Sequence, residues 1–240
     1  MPSSVWKDTE LWISHALVFF HCIVNSYPDY PFSKDYENYS RFFNSLKHVL
    51  PCKKCRTHYS DWLSKKPVEQ YLTSKNRLKV WITHFHNYIH LCLERPQLLK
   101  SCQEGDDIIL NFAQKKRKFL QDTDSNIWKF SRLWGSHAWV FLHAVCNTYP
   151  SKPDYYQKGN YLDFFNSLIY TLPCKLCQQH YAQWLQYEPV RDCLGSKKSL
   201  KQWIFTLHNH VNHKLSKPLI TDVNKGEEKL LHFAVNHQVF

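Results

Sequence analysis

One pattern is written twice along this chain. Adding 122 to a position in the first half returns the same residue at roughly 40 of the 85 positions from 12 to 96. Trp6, Trp12, His15 and His21 return as Trp128, Trp134, His137 and His143. Phe42-Phe43-Asn44-Ser45-Leu46 returns as Phe164-Phe165-Asn166-Ser167-Leu168, and Pro51-Cys52-Lys53-Lys54-Cys55 as Pro173-Cys174-Lys175-Leu176-Cys177. Past Pro96 the register slips by one residue, so that Gly105-Asp106-Asp107 meets Gly226-Glu227-Glu228. A repeat of this length is a tandem duplication and not a solenoid array. It restricts the fold to two similar units, residues 1–120 and 121–240, each large enough for its own core.

The chain has only 5 glycines while aromatics make up 16%. Scarce glycine and long gaps between turn signals favour helices over a β-sandwich. No run approaches about 18 consecutive apolar residues, so no transmembrane helix and no membrane partner are expected. The start of the chain is charged and lacks an apolar h-region, so no secretory signal is expected either. The formal net charge is +11, densest at Lys115-Lys116-Arg117-Lys118. No nucleic-acid motif accompanies that run, which reads as a solvated face, and no nucleic-acid partner is expected. Of the nine cysteines, four form the two C-x-x-C pairs. The others, Cys22, Cys92, Cys102, Cys146 and Cys193, have no cysteine at the offset position, which argues against a duplicated disulfide framework.

In the second copy Trp134, His137-Ala138, Phe141-Leu142 and Val145 recur at spacings of three and four, predicting a helix over 132–148. Tyr149-Pro150 and Pro153 end it. A second helix is predicted over 160–172 and a third from Cys174 to about Gln186. Ser196 is placed as the N-cap of a fourth running to Lys214, and a short fifth fits 227–236. The first copy reads the same way, with residues 97–127 holding its fifth helix and a linker. Short connections between four main helices imply an all-α chain of two tandem four-helix bundles, each with a short fifth helix.

Two cysteines three apart at a helix start have a specific use. The helix brings both sulfurs to one side, and its free N–H groups and dipole stabilise a thiolate. Such a pair cycles between dithiol and disulfide. Zinc competes for the same spacing, because Cys52, Cys55 and His58, like Cys174, Cys177 and His180, space like ligands. On that reading the protein is a zinc-stabilised helical adaptor without redox turnover.

The order of motifs in the second copy is specific. Trp134-Gly135 with Trp139 and Leu142-His143 comes first, then Pro173-Cys174-Lys175-Leu176-Cys177 with His180-Tyr181. Leu200, Trp203 and His208-Asn209-His210-Val211-Asn212-His213-Lys214-Leu215-Ser216-Lys217-Pro218 follow. This set closely resembles the ERV/ALR family of FAD-dependent sulfhydryl oxidases, with Ser216 in place of the usual glycine. The resemblance implies non-covalent FAD inside the bundle, at Gly135, Trp139, His143, His180, Trp203, His208, Asn209, Asn212, Lys214 and Lys217. It implies that Cys177 passes electrons to the flavin and that Cys174 exchanges with a thiol-containing protein substrate. Dioxygen then takes the electrons and becomes hydrogen peroxide. An apolar slot suits the isoalloxazine, aromatic or imidazole faces suit the adenine, the asparagine amides suit ring or ribose edges, and the lysines suit the pyrophosphate.

The first copy keeps Trp12, His15, His21, Cys52, Cys55, His58, Trp81, His86 and Asn87. It carries Ile13 for Gly135, Leu17 for Trp139, His90 for Asn212, Cys92 for Lys214 and Arg95 for Lys217. These changes fall on the positions that the resemblance assigns to the cofactor. The first copy is therefore expected to have a degenerate flavin site, with Cys52 and Cys55 as a second redox pair or a structural disulfide. Family members commonly form homodimers, so the two copies are expected to pack as an internal pseudo-dimer, with a further homodimer open. Short viral members resemble this arrangement. The expected setting is host cytoplasm or virion for a viral protein, and the mitochondrial intermembrane space for a cellular one.

Overall fold

The computed structural model describes residues 5–95, 98–116 and 127–240, with the side chains of 113–116 left aside. The expected boundary at 120 and the end of the basic run lie outside the described residues. Among the described residues every regular element is helical. The first copy holds α1 (Ile13–Asn25), α2 (Ser33–Val49), α3 (Lys53–Lys65), α4 (Lys75–Cys92) and α5 (Cys102–Lys116). The second holds α6 (Ser131–Asn147), α7 (Tyr155–Thr171), α8 (Lys175–Tyr187), the single turn α9 (Val190–Cys193), α10 (Lys197–Lys214) and α11 (Val223–Asn236). No described helix is long and apolar enough to cross a membrane.

Local chemistry sets the helix ends. Ser196 Oγ accepts from the Ser199 N–H at 3.1 Å and caps α10 where the sequence placed it. Helix α7 begins at Tyr155, ahead of the expected 160, because Asp154 and Gln157 close a reciprocal capping box of 2.7 and 3.0 Å. Helix α11 likewise starts early, at Val223, capped by Asp222. Tyr149 and Tyr27 of the two Tyr-Pro corners donate to the carbonyls of Leu194 and Leu72, at 2.9 and 2.7 Å, and fix the loops that precede α10 and α4.

Each fifth helix is clamped by a buried charge. Asp106 pairs with Lys79, and Glu227 pairs with Lys201 at 2.6 Å. The acidic members of both pairs are nearly inaccessible. Gly226 lets α11 close on the bundle, since a Cβ there would stand 2.6 Å from Ile220 and 2.8 Å from Phe205.

The copies meet along α1 against α6 and α2 against α7. Positions related by the offset touch one another: Phe42 stacks on Phe164 with centroids 6.0 Å apart, and the Nδ1 atoms of His15 and His137 lie 2.8 Å apart. A position touching its own copy is the mark of an isologous contact. Phe20 and Phe141 pack edge to face at 5.1 Å, and Phe19 stacks on Trp134 at 5.8 Å.

Helices α4 and α10 end on left-handed residues, Glu94 at φ 55° and Ser216 at φ 51°. The Arg95 N–H reaches back to the His90 carbonyl at 2.9 Å, and the Lys217 N–H to that of Asn212 at 2.8 Å. Glycine is the residue favoured there, which gives a physical reason for the glycine that Ser216 replaces. Ser216→Gly is expected to stabilise the chain by about 0.5–1 kcal/mol, read as a rise of roughly 2 °C in Tm. An unchanged or lower Tm would contradict this account of the helix end.

Candidate redox and cofactor site

Pro173 stops α7 from continuing and holds Leu172 extended. Cys174 becomes the N-cap of α8, its Sγ accepting from the Cys177 N–H at 3.2 Å. Cys52 caps α3 in the same way, at 3.3 Å from the Cys55 N. A sulfur in this place receives a backbone donor and the positive end of the helix dipole, both of which favour the thiolate. Burial opposes ionisation of Cys52, but hydrogen bonds from Cys55, Thr9 and Lys54 outweigh it and hold that thiol below its ordinary range. The inner thiols go the other way. Burial and the neighbouring Cys52 push Cys55 up to about 12, and burial and Cys174 push Cys177 up as well. Each pair therefore has an outer sulfur at the helix tip and an inner one that resists ionisation. All nine thiols are free, and Cys22 and Cys146 lie fully buried in the core.

The residues after each pair anchor it. The Tyr181 hydroxyl donates to the Phe165 carbonyl at 3.1 Å, and Tyr59 to that of Phe43 at 2.8 Å. Gln178 Nε2 donates to the carbonyls of Tyr170 and Leu172, at 2.9 and 2.7 Å, while Arg56 Nη1 reaches Leu50. Sequence reasoning missed this bracing. Its only signal was a long polar donor directly after each second cysteine.

In the second copy Trp139 and His208 stack face to face, 4.0 Å between centroids and 12° between planes. His143 Nε2 lies 3.2 Å from His208 Nδ1. Burial, with Lys217 adding to it, lowers His208 to about 4, and burial lowers His143 well below its usual value. Both rings are thus neutral near pH 7. Gly135 leaves room beside it, because a Cβ there meets nothing nearer than Ser131 Cβ at 4.0 Å. His180 is half-buried and close enough to His210 to lower it, after burial and Lys214. Lys214 and Lys217 are exposed around the end of α10. Asn212 is buried there.

Two of the expected cofactor residues spend their polar atoms within the protein. Trp203 is only 2% exposed, packs edge to face on Phe165 at 5.0 Å, and donates its indole N–H to the Glu188 carbonyl at 2.9 Å. Trp81 makes the same contacts with Phe43 and Lys66 in the first copy. Asn209 spends both ends of its amide on Ile220, at 2.8 and 2.7 Å, as Asn87 does on Leu99. Trp203 and Trp81 hold the chain that precedes α10 and α4, and Asn209 and Asn87 the chain that follows them. The periodicity of the sequence does not separate such anchors from slot-lining residues.

The fit of this bundle to a planar heterocycle rests on its unpartnered polar atoms. Trp134 Nε1, Trp184 Nε1, His143 Nδ1 and Asn147 Oδ1 are buried without a hydrogen-bond partner. Buried polar atoms without partners are rare, and a ring system edged with nitrogen and oxygen answers that need. In the first copy Trp12 and Trp62 carry the same unpartnered indole nitrogens. There a small apolar cavity borders Cys55 and is lined by Trp12, Ile13, Tyr59, Phe85 and Cys92. Ile13 lines this cavity without closing it. His21, His86 and His90 form a chain with ring nitrogens 3.1 and 3.0 Å apart. Among the described residues no three His, Cys, Asp or Glu side chains converge on a point that would hold a metal ion.

A helix-capping cysteine pair in an all-helical, aromatic and histidine-lined bundle has the chemistry for thiol–disulfide exchange. A model of the Erv1 / Alr family matches residues 14–116 and again 136–230, and the chain belongs to that family. It is 40% identical over 89 residues to a probable FAD-linked sulfhydryl oxidase of Acanthamoeba polyphaga mimivirus, covering 37% of this chain and 62% of that one. It is 27% identical over 163 residues to an FAD-linked sulfhydryl oxidase of Arabidopsis thaliana, covering 65% and 84%. A mitochondrial FAD-linked sulfhydryl oxidase of Saccharomyces cerevisiae is 32% identical over 95 residues, 40% of this chain and 49% of that one. The chain thus spans less than two thirds of the mimiviral relative and about half of the yeast one. No solved structure matches it significantly.

The buried histidines make the fold acid-sensitive. Burial lowers His15 to about 4 and His21 to about 3, and takes His86 and His143 well below 6.5. Below pH 6.5 the unfolded chain takes up protons that the folded chain refuses, so stability falls as pH drops from 6.5 towards 4. Each fully titrating group removes up to about 1.4 kcal/mol per pH unit. Urea midpoints measured from pH 7.5 to 4.5 are expected to be level above 7 and to fall steeply below 6. A flat profile to pH 4.5 would show that these rings are not held neutral.

Proposed function

We propose that this protein is an FAD-linked thiol oxidase, built as two four-helix bundles, each with a fifth helix, packed as an internal pseudo-dimer. Turnover belongs to the second repeat. The observation that carries this reading is one bundle combining three features: Cys174 capping α8 over a half-buried Cys177, the Trp139–His208 stack, and four unpartnered buried polar atoms. Trp139, His143 and His208 would hold the rings, Gly135 would leave room beside them, and Lys214 and Lys217 would face the phosphates. Asn212 and His180 would complete the site, and Trp203 and Asn209 would brace the helix and loop that form it.

In the oxidised form Cys174 and Cys177 are joined. A substrate thiolate attacks Cys174 Sγ, a bond forms between the two, and Cys177 leaves as the thiol or thiolate. A second substrate thiolate then attacks the substrate sulfur of this mixed disulfide. The substrate leaves as a disulfide, and both electrons remain on the enzyme as the Cys174/Cys177 dithiol. Cys174 is the leaving group in that second step, its sulfur lying where the Cys177 N–H can donate to it. Its exposed neighbours, Lys175 and Leu176, leave the attack direction open to a protein partner. Bound FAD supplies the chemistry of accepting those two electrons and delivering them to dioxygen as hydrogen peroxide.

Cys177→Ser is expected to abolish oxygen consumption with a small dithiol while the protein stays yellow, and His208→Ala to give protein with little or no flavin. Full oxygen consumption by the first variant, or full flavin occupancy in the second, would sink the assignment.

The first repeat is read as flavin-free, with Cys52 and Cys55 relaying electrons from protein substrates to Cys174. The depressed Cys52 thiol is what a relay needs and a permanent disulfide does not. Replacing both by serine is expected to slow oxidation of a reduced protein at least several-fold while small dithiols react at the wild-type rate. Equal slowing of both, or of neither, would favour a structural pair.

A further inference from the structure

Beyond α11 the chain leaves the second repeat and lies on the first. Gln238 Nε2 donates to the Glu10 carbonyl at 2.9 Å. The N–H groups of Val239 and Phe240 both donate to Ser14 Oγ, at 2.9 and 3.2 Å. Arg95 Nη1 donates to the Phe240 carbonyl at 3.4 Å and also pairs with Glu10. The Phe240 ring stands at 90° to His86 with centroids 4.3 Å apart, and 6.0 Å from His21.

These contacts fall on a particular set of positions. His21, His86 and Arg95 are the copies of His143, His208 and Lys217. In the second repeat the ring facing the α10 histidine is Trp139. The first repeat has Leu17 there, fully buried and aliphatic, and the aromatic ring on its histidine is Phe240, brought from the far end of the other repeat. The segment is delivered rather than floating. Helix α11 is docked across the seam, with His15 Nε2 bonded to the Ala234 carbonyl at 3.0 Å and Phe233 against both His15 and His137. A tethered segment competes at an effective concentration on the order of millimolar, without needing high affinity of its own.

We propose that residues 238–240 are a built-in ligand of the first repeat, seated where the second repeat receives the adenine half of FAD, so that the chain itself closes the first repeat to adenine nucleotides. This rests on the reading of the second repeat as the FAD site. The cavity beside Cys55 is lined by none of His21, His86 or Phe240, so the tail leaves it open. The substitutions at positions 13, 17 and 92 are on this account secondary to the occupant.

The test uses the full chain and two variants, Phe240→Ala and Ser14→Ala. The first removes the ring. The second removes only the oxygen that holds two backbone N–H groups and keeps the ring, so it remains informative should the first misfold. Each protein, with its helicity checked by circular dichroism, is dialysed to equilibrium against excess FAD, and bound flavin is counted per chain. The wild-type chain is expected to saturate at one, and the variants to rise towards two, the added flavin being displaced by ADP. Saturation of both folded variants at one would overturn the proposal, and so would two flavins on the wild-type chain. A wild-type chain with no flavin would count against the second-repeat site, visibly and before either variant is made, and would take this proposal with it.

Discussion

The seam between the repeats sets the frame for the rest of the molecule. Apolar and aromatic faces of α1 and α2 close on those of α6 and α7, and each copy of Phe42 and His15 meets its own counterpart. At the centre the two copies are not equivalent. His15 Nε2 must donate to the Ala234 carbonyl, so its neutral ring accepts at Nδ1, and the facing Nδ1 of His137 must supply the proton. Two identical rings in that place are thereby given opposite roles. With one face of each bundle spent on the seam, α3 packs on α2 and α8 on α7, and the cysteine pairs sit at the tips of these second-layer helices.

Duplication followed by divergence explains why the sites differ while the scaffold does not. Both copies cap a helix with the outer cysteine, pin it with a tyrosine hydroxyl, seat a tryptophan under the preceding loop and clamp the fifth helix with a buried lysine–carboxylate pair. They part at the α4 and α10 histidines. His208 stacks on Trp139, whereas His86 joins a row of histidines under Phe240. The changes fall on positions 13, 17, 90, 92 and 95, the offset copies of Gly135, Trp139, Asn212, Lys214 and Lys217.

Much of this was legible in the sequence, because helix period and capping are local. Ser196, Cys174 and the two prolines before the cysteine pairs marked their helix boundaries correctly. The start of α7 was missed because Tyr155 and Tyr156 are exposed and carry no apolar period, leaving Asp154 and Gln157 as the only signal. The turn α9 is too short to show a period. Within the site, periodicity places Trp139 and Trp203 alike on inward faces. Only the partner of each indole ring, an imidazole for one and a loop carbonyl for the other, separates slot from core. Asn209 has the chemistry for a ligand edge, and its two bonds to Ile220 left no local trace in the sequence. The docking of Phe240 on His86, 154 positions apart, had no local trace at all.

The central claim is that a duplicated fold keeps one working flavin site and one closed one. The most direct measurement is the absorption spectrum of the purified full chain, with the flavin released by denaturation and counted against protein. The account predicts a yellow protein carrying one FAD per chain, retained through desalting and lost on denaturation. A colourless chain that gains no flavin from added FAD, or one carrying two FAD per chain, would contradict it.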